Sequence, residues 1–334
     1  MILIHSKLIQ MDNQEKLALI KRNTEEIVTE DELKDILNTI DKPNVYTGYE
    51  PSGPVHIGHA VTVMKLKDME KAGFHVKILL ADVHALLNKK GTEEEIAQQC
   101  VLWEKAMNAL GLKNPEIILG SDFEYTKEYI RELHKLALRT SIKRGLRSMQ
   151  EVARDIDNAT VSQMLYPLMQ TLDIKYLELD AAQGGMEQRK IHMLARELFP
   201  SELDLPPPTC VHTPLISALT GPGSKMSSSI PESMISVTDS KEDIFDKMKK
   251  AYCPAKVIED NPVLQIARLI ILPNIEKLTI ERPEKFGGDL LFLNYNELEK
   301  SFIKGNLHPL DLKKAVATEL ASIFTPVKKV FDKE

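Results

Sequence analysis

Apolar positions along the chain change their period several times, and each change predicts a new element. Val45 to Tyr49 is an apolar run of strand length. Beyond a turn built from Pro51, Ser52, Gly53 and Pro54, the positions Ile57, Ala60, Val61, Met64, Leu66 and Met69 recur near helical spacing to about Ala72, and Gly73 stops the run. Phe74 to Ala81 is a second strand, apolar enough at Val76, Ile78, Leu79 and Leu80 to be buried on both faces. Thr92, followed by Glu93, Glu94 and Glu95, caps a helix that runs to about Gly111, and Ile117 to Leu119 makes a third strand. Strand–helix alternation of this kind predicts a parallel sheet with crossover helices, where ligands sit at the carboxyl ends of the strands.

The flanking regions read differently. Residues 1–43 are polar and helical, from Asn13 to Arg22 and again after Thr29, which has Glu32 at capping-box spacing; they predict an arm packed on the main domain. Lys127, Arg131, Lys135, Arg139, Lys143 and Arg147 recur every fourth residue, with Gly145 a candidate break; this stripe suits either a solvated helix face or the bed of a phosphate backbone. Val161 to Leu172 reads as a helix kinked at Pro167, with Tyr166, Gln170 and Asp173 on one stripe. Those three are either the polar side of an amphipathic helix or a grip on an α-amine and a phenolic hydroxyl. Leu177 to Ala182 predicts a strand; Gly184 and Gly185 then open a helix with Gln188 and Arg189 at its start, and Pro206 to Pro208 stiffen a loop. After Val237 the pattern is helical to the end, apart from Arg282 to Gly288; His308-Pro309 starts the last helix, with Asp311 in its first turn.

Two stretches carry candidate chemistry. His56 and His59 lie three apart at the start of the first predicted helix, with Gly58 between them. A helix N-terminus behind a tight turn favours an anion, and imidazoles can donate to a polyphosphate. A lone His-x-x-His could equally be a solvated face or half a metal site, but no Cys or carboxylate cluster completes a metal set nearby. The second stretch, Lys225 to Ser229, follows Gly221-Pro222-Gly223 and joins one Lys to three hydroxyls, a loop suited to closing over a departing phosphate.

Composition narrows the remaining classes. The chain has 334 residues, enough for two cores, and a net charge of −6, so any nucleic-acid contact must be a local basic patch. Cys100, Cys210 and Cys253 lack zinc or disulfide spacing, which predicts no zinc and a reducing compartment. The first twelve residues are too short and too interrupted for a signal peptide, and no apolar run approaches membrane-spanning length; the expectation is a cytoplasmic protein.

The paired motifs His56-Ile57-Gly58-His59 and Lys225-Met226-Ser227-Ser228-Ser229 resemble the two signatures of class I aminoacyl-tRNA synthetases. Further stretches are similar to tyrosyl-tRNA synthetases of the archaeal and eukaryotic type: Tyr46 to Gly53, Leu80 to Ala85, Tyr166 to Gln170, Gly184 to Ile191, Ala251 to Cys253 and His308 to Lys313. The resemblance covers nearly the whole chain. It implies an α/β fold: a Rossmann-type parallel-sheet catalytic domain over 44–235, interrupted by a helical insertion at about 125–162 and carrying the signature loop 221–230, then an all-α anticodon-binding domain over 236–334. The implied reaction activates L-tyrosine with ATP, Mg²⁺ arriving with the nucleotide, and transfers tyrosine to the terminal adenosine of tRNA(Tyr); the implied assembly is a homodimer formed through the insertion.

The same resemblance assigns residues. His56, His59, Lys225 and Ser228 would be catalytic; Gly53, Gly58, Met226 and Ser227 would complete the ATP site. Tyr46 and Asp173 would hold the substrate hydroxyl, and Tyr166, Gln170 and Gln188 its ammonium end, with Gly48, Glu50, Leu79 and His84 in the same pocket. Arg147, Arg189, Lys190, Lys250, Cys253, Phe286, His308 and Asp311 would meet the tRNA. Glu124 departs from the family pattern, where Gln is usual, and Gln183 replaces an apolar residue. Three rival readings are a tryptophanyl-tRNA synthetase, a nucleotidyltransferase with a His-x-Gly-His motif, and an inactive synthetase-like RNA-binding paralogue. The first has no use for a hydroxyl-binding pair, the second leaves the C-terminal third unexplained, and the third would show a damaged signature.

Overall fold

The computed structural model describes residues 11–150, 160–223, 226 and 230–332. In chain order the regular elements are α1 (Asn13–Lys21), β1 (Glu26–Val28), α2 (Glu30–Thr39), β2 (Asn44–Tyr49), α3 (Ile57–Lys71), β3 (His75–Leu80), α4 (Asp82–Leu87), α5 (Glu93–Ala109) and β4 (Glu116–Leu119). There follow α6 (Lys127–Arg139), α7 (Ile142–Met149), α8 (Val161–Tyr176), β5 (Ala181–Gly185), α9 (Arg189–Glu202) and β6 (Thr209–Thr213). The last third contains α10 (Lys241–Lys250), α11 (Pro262–Ile266), β7 (Leu278–Ile280), β8 (Leu290–Phe292), α12 (Tyr295–Lys304) and α13 (Pro309–Phe331).

Six strands form one sheet in the order β1-β6-β5-β2-β3-β4, parallel except for β1, which runs antiparallel to β6. The chain builds outward from β2 through β3 to β4, then returns to the other side of β2 to lay down β5 and β6. The order therefore reverses beside β2, and the gap beyond the carboxyl ends of β2 and β5 is where an α/β sheet binds ligands. Helix α3 is buried on most sides, from Ile57 to Met69, because it lies between the sheet and the N- and C-terminal helices.

Several expectations are corrected. The N-terminal arm is not helical throughout: Glu26 to Val28 pairs with Cys210 to His212 and supplies the sheet edge. Strands β6, β7 and β8 and helix α4 had no sequence expectation, and the C-terminal region is helical with a two-stranded β7–β8 hairpin rather than all-α. The fifth strand starts at Ala181, because Leu177 to Asp180 form the turn that ends α8, with Glu178 at positive φ. The basic stripe breaks at Thr140 and Ser141, where Ser141 caps α7. Gly145 lies inside α7, where a Cβ would come within 2.8 Å of Met164 Cε.

A buried charge fastens the arm to α3. Lys65 is almost wholly buried and donates from Nζ to the carbonyls of Ile20 and Arg22, with Asp68 at 3.7 Å; Asp68 also pairs with Arg22 at 2.5 Å. Burial outweighs the Asp68 field and lowers the Lys65 ammonium to about 8. Removing one partner of such a group leaves uncompensated buried charge. Asp68→Ala should therefore destabilise the chain by about 3–5 kcal/mol in urea unfolding, whereas Lys34→Ala, which loses only exposed pairs, should cost at most about 1 kcal/mol.

Candidate active site

The turn after β2 delivers α3 with both imidazoles in the cap. Gly53 sits at φ 68°, in the left-handed region, and its carbonyl accepts from Trp103 Nε1 at 2.9 Å, which pins the turn. His56 is the N-cap: its Nδ1 accepts from the Gly58 N–H at 3.1 Å, and His59 Nδ1 accepts from the His56 N–H at 3.2 Å. The rings stack at 3.8 Å, and His59 packs on Trp103. Burial lowers His56 to about 4 and holds His59 well below the usual imidazole value, so both rings are neutral at pH 7. A neutral ring whose Nδ1 accepts must carry its proton on Nε2. The pair thus presents two N–H donors beside the bare amides of a helix N-terminus, a cradle for phosphate.

The segments flanking the second motif join the first through the backbone. Leu219 N–H bonds Ser233 O at 2.9 Å and closes the base of the 221–230 loop; Ile57 N–H then bonds Ile235 O, and Val237 N–H bonds Val55 O, both at 3.0 Å. Met226 Cε lies where a Cβ on Gly58 would approach it to 3.1 Å, and His56 Cε1 would be 2.9 Å away. Gly58 is therefore required by the loop and the cap as well as by any ligand. Lys225, Ser227 and Ser228 lie outside the described residues.

Beside this cradle the sheet end opens onto a buried polar cluster. Gly48 is exposed between buried neighbours, with Tyr46 and Leu79 flanking it as a floor. Asp173, 1% exposed, accepts from Tyr129 Oη at 2.7 Å and pairs with His84 Nε2 at 3.0 Å. The Tyr46 hydroxyl is buried and makes no hydrogen bond. Tyr166 packs edge-on against His84 at 4.5 Å, and Glu50 holds Asn88 and Lys90 at the rim. Gln170 Nε2 donates to Gln188 Oε1 at 3.2 Å, joining α8 to the turn before α9. Tyr166 and Asp173 are buried and Gln170 is half-buried, so the stripe on α8 is not a solvated surface. Thr47 donates to Gln183 Oε1 beneath the floor. Donor atoms of His84, Glu124 and Asp173 all lie within 4.8 Å of one another; within this buried polar wall Asp173 bonds Tyr129 and His84, and Glu124 bonds neither.

Sequence reasoning missed two members of this site. Tyr129 lay hidden in the basic stripe of α6, although Tyr129, Leu133 and Leu136 recur at i, i+4 and i+7 and mark its buried face. Trp103, the chain's one tryptophan, sits in the middle of α5 with no motif around it.

The residues expected to meet RNA lie at two ends. Near the sheet, Arg147 is exposed on α7, Lys190 Nζ donates to Gln150, and Arg189 is held by Glu26 through bonds of 2.6 and 2.8 Å. In the C-terminal region Phe286 is 61% exposed with Lys285 over its ring, Lys250 is exposed at the end of α10, and Cys253 is buried against Asn261. His308, not Asp311, caps α13; Asp311 stands half-buried in its first turn.

The family described as tRNA synthetases class I (W and Y) matches residues 39–325. A tyrosine–tRNA ligase of Methanopyrus kandleri is 48% identical over 321 residues, covering 96% of this chain and 98% of the relative. One from Methanococcoides burtonii is 50% identical, covering 95% and 100%. Among solved structures, tyrosyl-tRNA synthetase from Archaeoglobus fulgidus complexed with L-tyrosine has a TM-score of 0.92 at 49% identity, covering 96% of this chain and 99% of that one.

The two duties of His56, capping and donating outward, can be separated. His56→Ala should lose about 1 kcal/mol of stability with the cap, while His56→Asn should keep the cap and most of that stability. Both should weaken MgATP binding, because both lose the Nε2–H; unfolding curves and nucleotide titration of the two variants check this.

Proposed function

The chain belongs to the class I tRNA synthetases of the W and Y type, and we propose that it is a tyrosine–tRNA ligase working through the signature and pocket residues named above. The observation that carries this reading is the buried polar end of the pocket, where Tyr46, His84, Tyr129 and Asp173 meet beside the His56–His59 cap. An indole offers no oxygen to such a wall, and leaving it unpaired costs the desolvation of each orphaned group.

In the first step the tyrosine carboxylate attacks the α-phosphorus of ATP, and pyrophosphate leaves. A ribose hydroxyl of the tRNA's terminal adenosine then takes the tyrosyl group. No side-chain nucleophile is required, so the protein aligns the reactants and stabilises developing charge. His56 and His59 donate to the phosphates from Nε2, Gly58 leaves room above the helix, and Lys225, Ser227 and Ser228 offer an ammonium and hydroxyls to the leaving pyrophosphate. Magnesium arrives with ATP and neutralises phosphate charge. Gln170 and Gln188 meet the ammonium end with Tyr166.

The apolar side chains Leu138, Ile142 and Val161, on α6, α7 and α8, are 85%, 72% and 81% exposed and support a homodimer through this insertion. No helix among the described residues is long and apolar enough to cross a membrane, in keeping with work in the cytoplasm. Tyrosine-dependent ATP–pyrophosphate exchange, with phenylalanine and tryptophan as controls, tests the assignment; exchange driven by tryptophan, or by none of the three, overturns it.

Two substitutions test the ends of the molecule. Tyr46→Phe removes only a hydroxyl without a partner, so stability should stay within about 0.5 kcal/mol, while preference for tyrosine over phenylalanine falls by about tenfold or more in the exchange assay. Asp311→Arg should alter the preference for the first anticodon base, since an ionised carboxylate accepts only from bases that offer N–H donors. Tyrosine adenylation should be unchanged; if aminoacylation falls equally for every anticodon variant, Asp311 is structural.

A further inference from the structure

The polar wall contains one carboxyl that nothing above employs. Glu124 is 1% exposed, and neither of its oxygens has a hydrogen-bond partner. Its position is built: the Glu124 N–H bonds Gly120 O at 2.9 Å, and a Cβ on Gly120 would stand 2.5 Å from Glu124 Oε1, so only glycine leaves the carboxyl its niche. His84 Nε2 is 3.7 Å from Oε1, too far for a hydrogen bond, and is turned to Asp173 instead. The wall thus holds two orphaned hydroxyl or carboxyl groups, Tyr46 and Glu124, around an Asp173 that already accepts from Tyr129.

Orphaned polar groups this deep carry an unrecovered desolvation cost unless a ligand completes them. A phenol has one O–H to donate and lone pairs to accept, so it needs one acceptor and at least one donor. Asp173 is the acceptor. We propose that Glu124 is a specificity-determining residue of the tyrosine site, which in its neutral, protonated form donates a hydrogen bond to the substrate's phenolic oxygen. This rests on the tyrosine–tRNA ligase reading and extends it from the Tyr46–Asp173 pair to a three-sided grip.

The charges around Glu124 agree with that state. Asp82 and His84 face it from α4, Asp173 from α8, Tyr129 from α6 and Tyr46 from β2, with Tyr125 adjacent in sequence. Burial and then the Asp173 carboxylate push its carboxyl up to about 8 against the opposing pull of His84. The carboxyl is therefore protonated at pH 7 and loses its proton as pH passes about 8. Once ionised, it turns a lone pair toward the phenolic oxygen's own lone pairs, and the donor is gone.

The test is the ratio of kcat/KM for tyrosine to that for phenylalanine in pyrophosphate exchange, from pH 6.5 to 8.5. Taking the ratio cancels titration of the shared α-ammonium, of ATP and of the signature histidines. In the wild-type chain the ratio should fall about three- to fourfold between pH 7 and 8.5, following loss of the Glu124 proton. In Glu124→Gln, whose amide donates at every pH, it should stay constant within about twofold. A flat wild-type ratio, or the same decline in Glu124→Gln, overturns the proposal; the wild-type profile decides alone if the variant folds poorly. Absence of tyrosine-dependent exchange at pH 7 overturns the parent reading along with this one, whereas intact exchange with a flat ratio overturns the role of Glu124 only.

Discussion

Everything at the site depends on how helix α3 begins. The sheet order reverses beside β2, and α3 starts at the carboxyl end of that strand, where an α/β sheet binds ligands. Its first amides need a cap that does not consume the site. A Ser or Asp cap would answer with an oxygen, and Asp would add negative charge where phosphates must come. An imidazole has two ends. His56 turns Nδ1 inward to the Gly58 amide and leaves Nε2 outward, and His59 repeats the arrangement toward the His56 N–H. His59 packs on Trp103 and Tyr49 and His56 stacks on His59; burial keeps both rings neutral, and the bonds accepted at Nδ1 leave the proton on Nε2.

The polar wall shows the opposite economy. His84, Glu124, Tyr46 and Asp173 are buried with several atoms unpaired, and a stable core alone would not select them. They persist because α6 and α8 hold them from outside: Tyr129 and Leu133 on one helix, Leu168, Met169 and Leu172 on the other, form a dry cluster behind Asp173. The Tyr129 hydroxyl bridges Asp173 and the Met169 carbonyl, which fixes the carboxylate before any ligand arrives. Helix α6 thus supports the pocket from behind.

The parts of this that were legible in the sequence are those set by local spacing. The strands around Val45 and Ile78, helix α3 with its stop at Gly73, the Thr29–Glu32 and Thr92–Glu95 capping boxes and the start of α13 all depend on residues a few positions apart. What was illegible depends on distant partners. Strand β1 is three residues long, and its partner β6, with Thr209, His212 and Thr213 on it, looks polar although every residue is buried. His212 is accommodated by His192 at 3.0 Å, a contact no local pattern announces. Pairing of α8 with α6, which converts Tyr129 from one residue in a charged stripe into the anchor of Asp173, is likewise visible only in three dimensions.

The C-terminal helices bear on the reading of RNA through the same kind of long-range packing. One continuous apolar cluster runs from Ile20 and Leu33 in the arm through Ile57, Met64 and Met69 of α3 to Val263, Ile270, Leu320 and Phe324. Polar bonds cross the same packing: Asn274 Oδ1 accepts from Lys67 of α3, and Lys313 of α13 bonds the Lys249 carbonyl at the end of α10. A joint buried in this way resists hinge motion, because sliding it would open apolar surface that packing now excludes from water. In the proposed reading, the distance between Arg189 at the sheet and Phe286 and Asp311 at the far end is set by this core. The chain would then select its RNA by span as well as by base contacts, since a rigid separation admits only a nucleic acid whose two recognised ends are the matching distance apart.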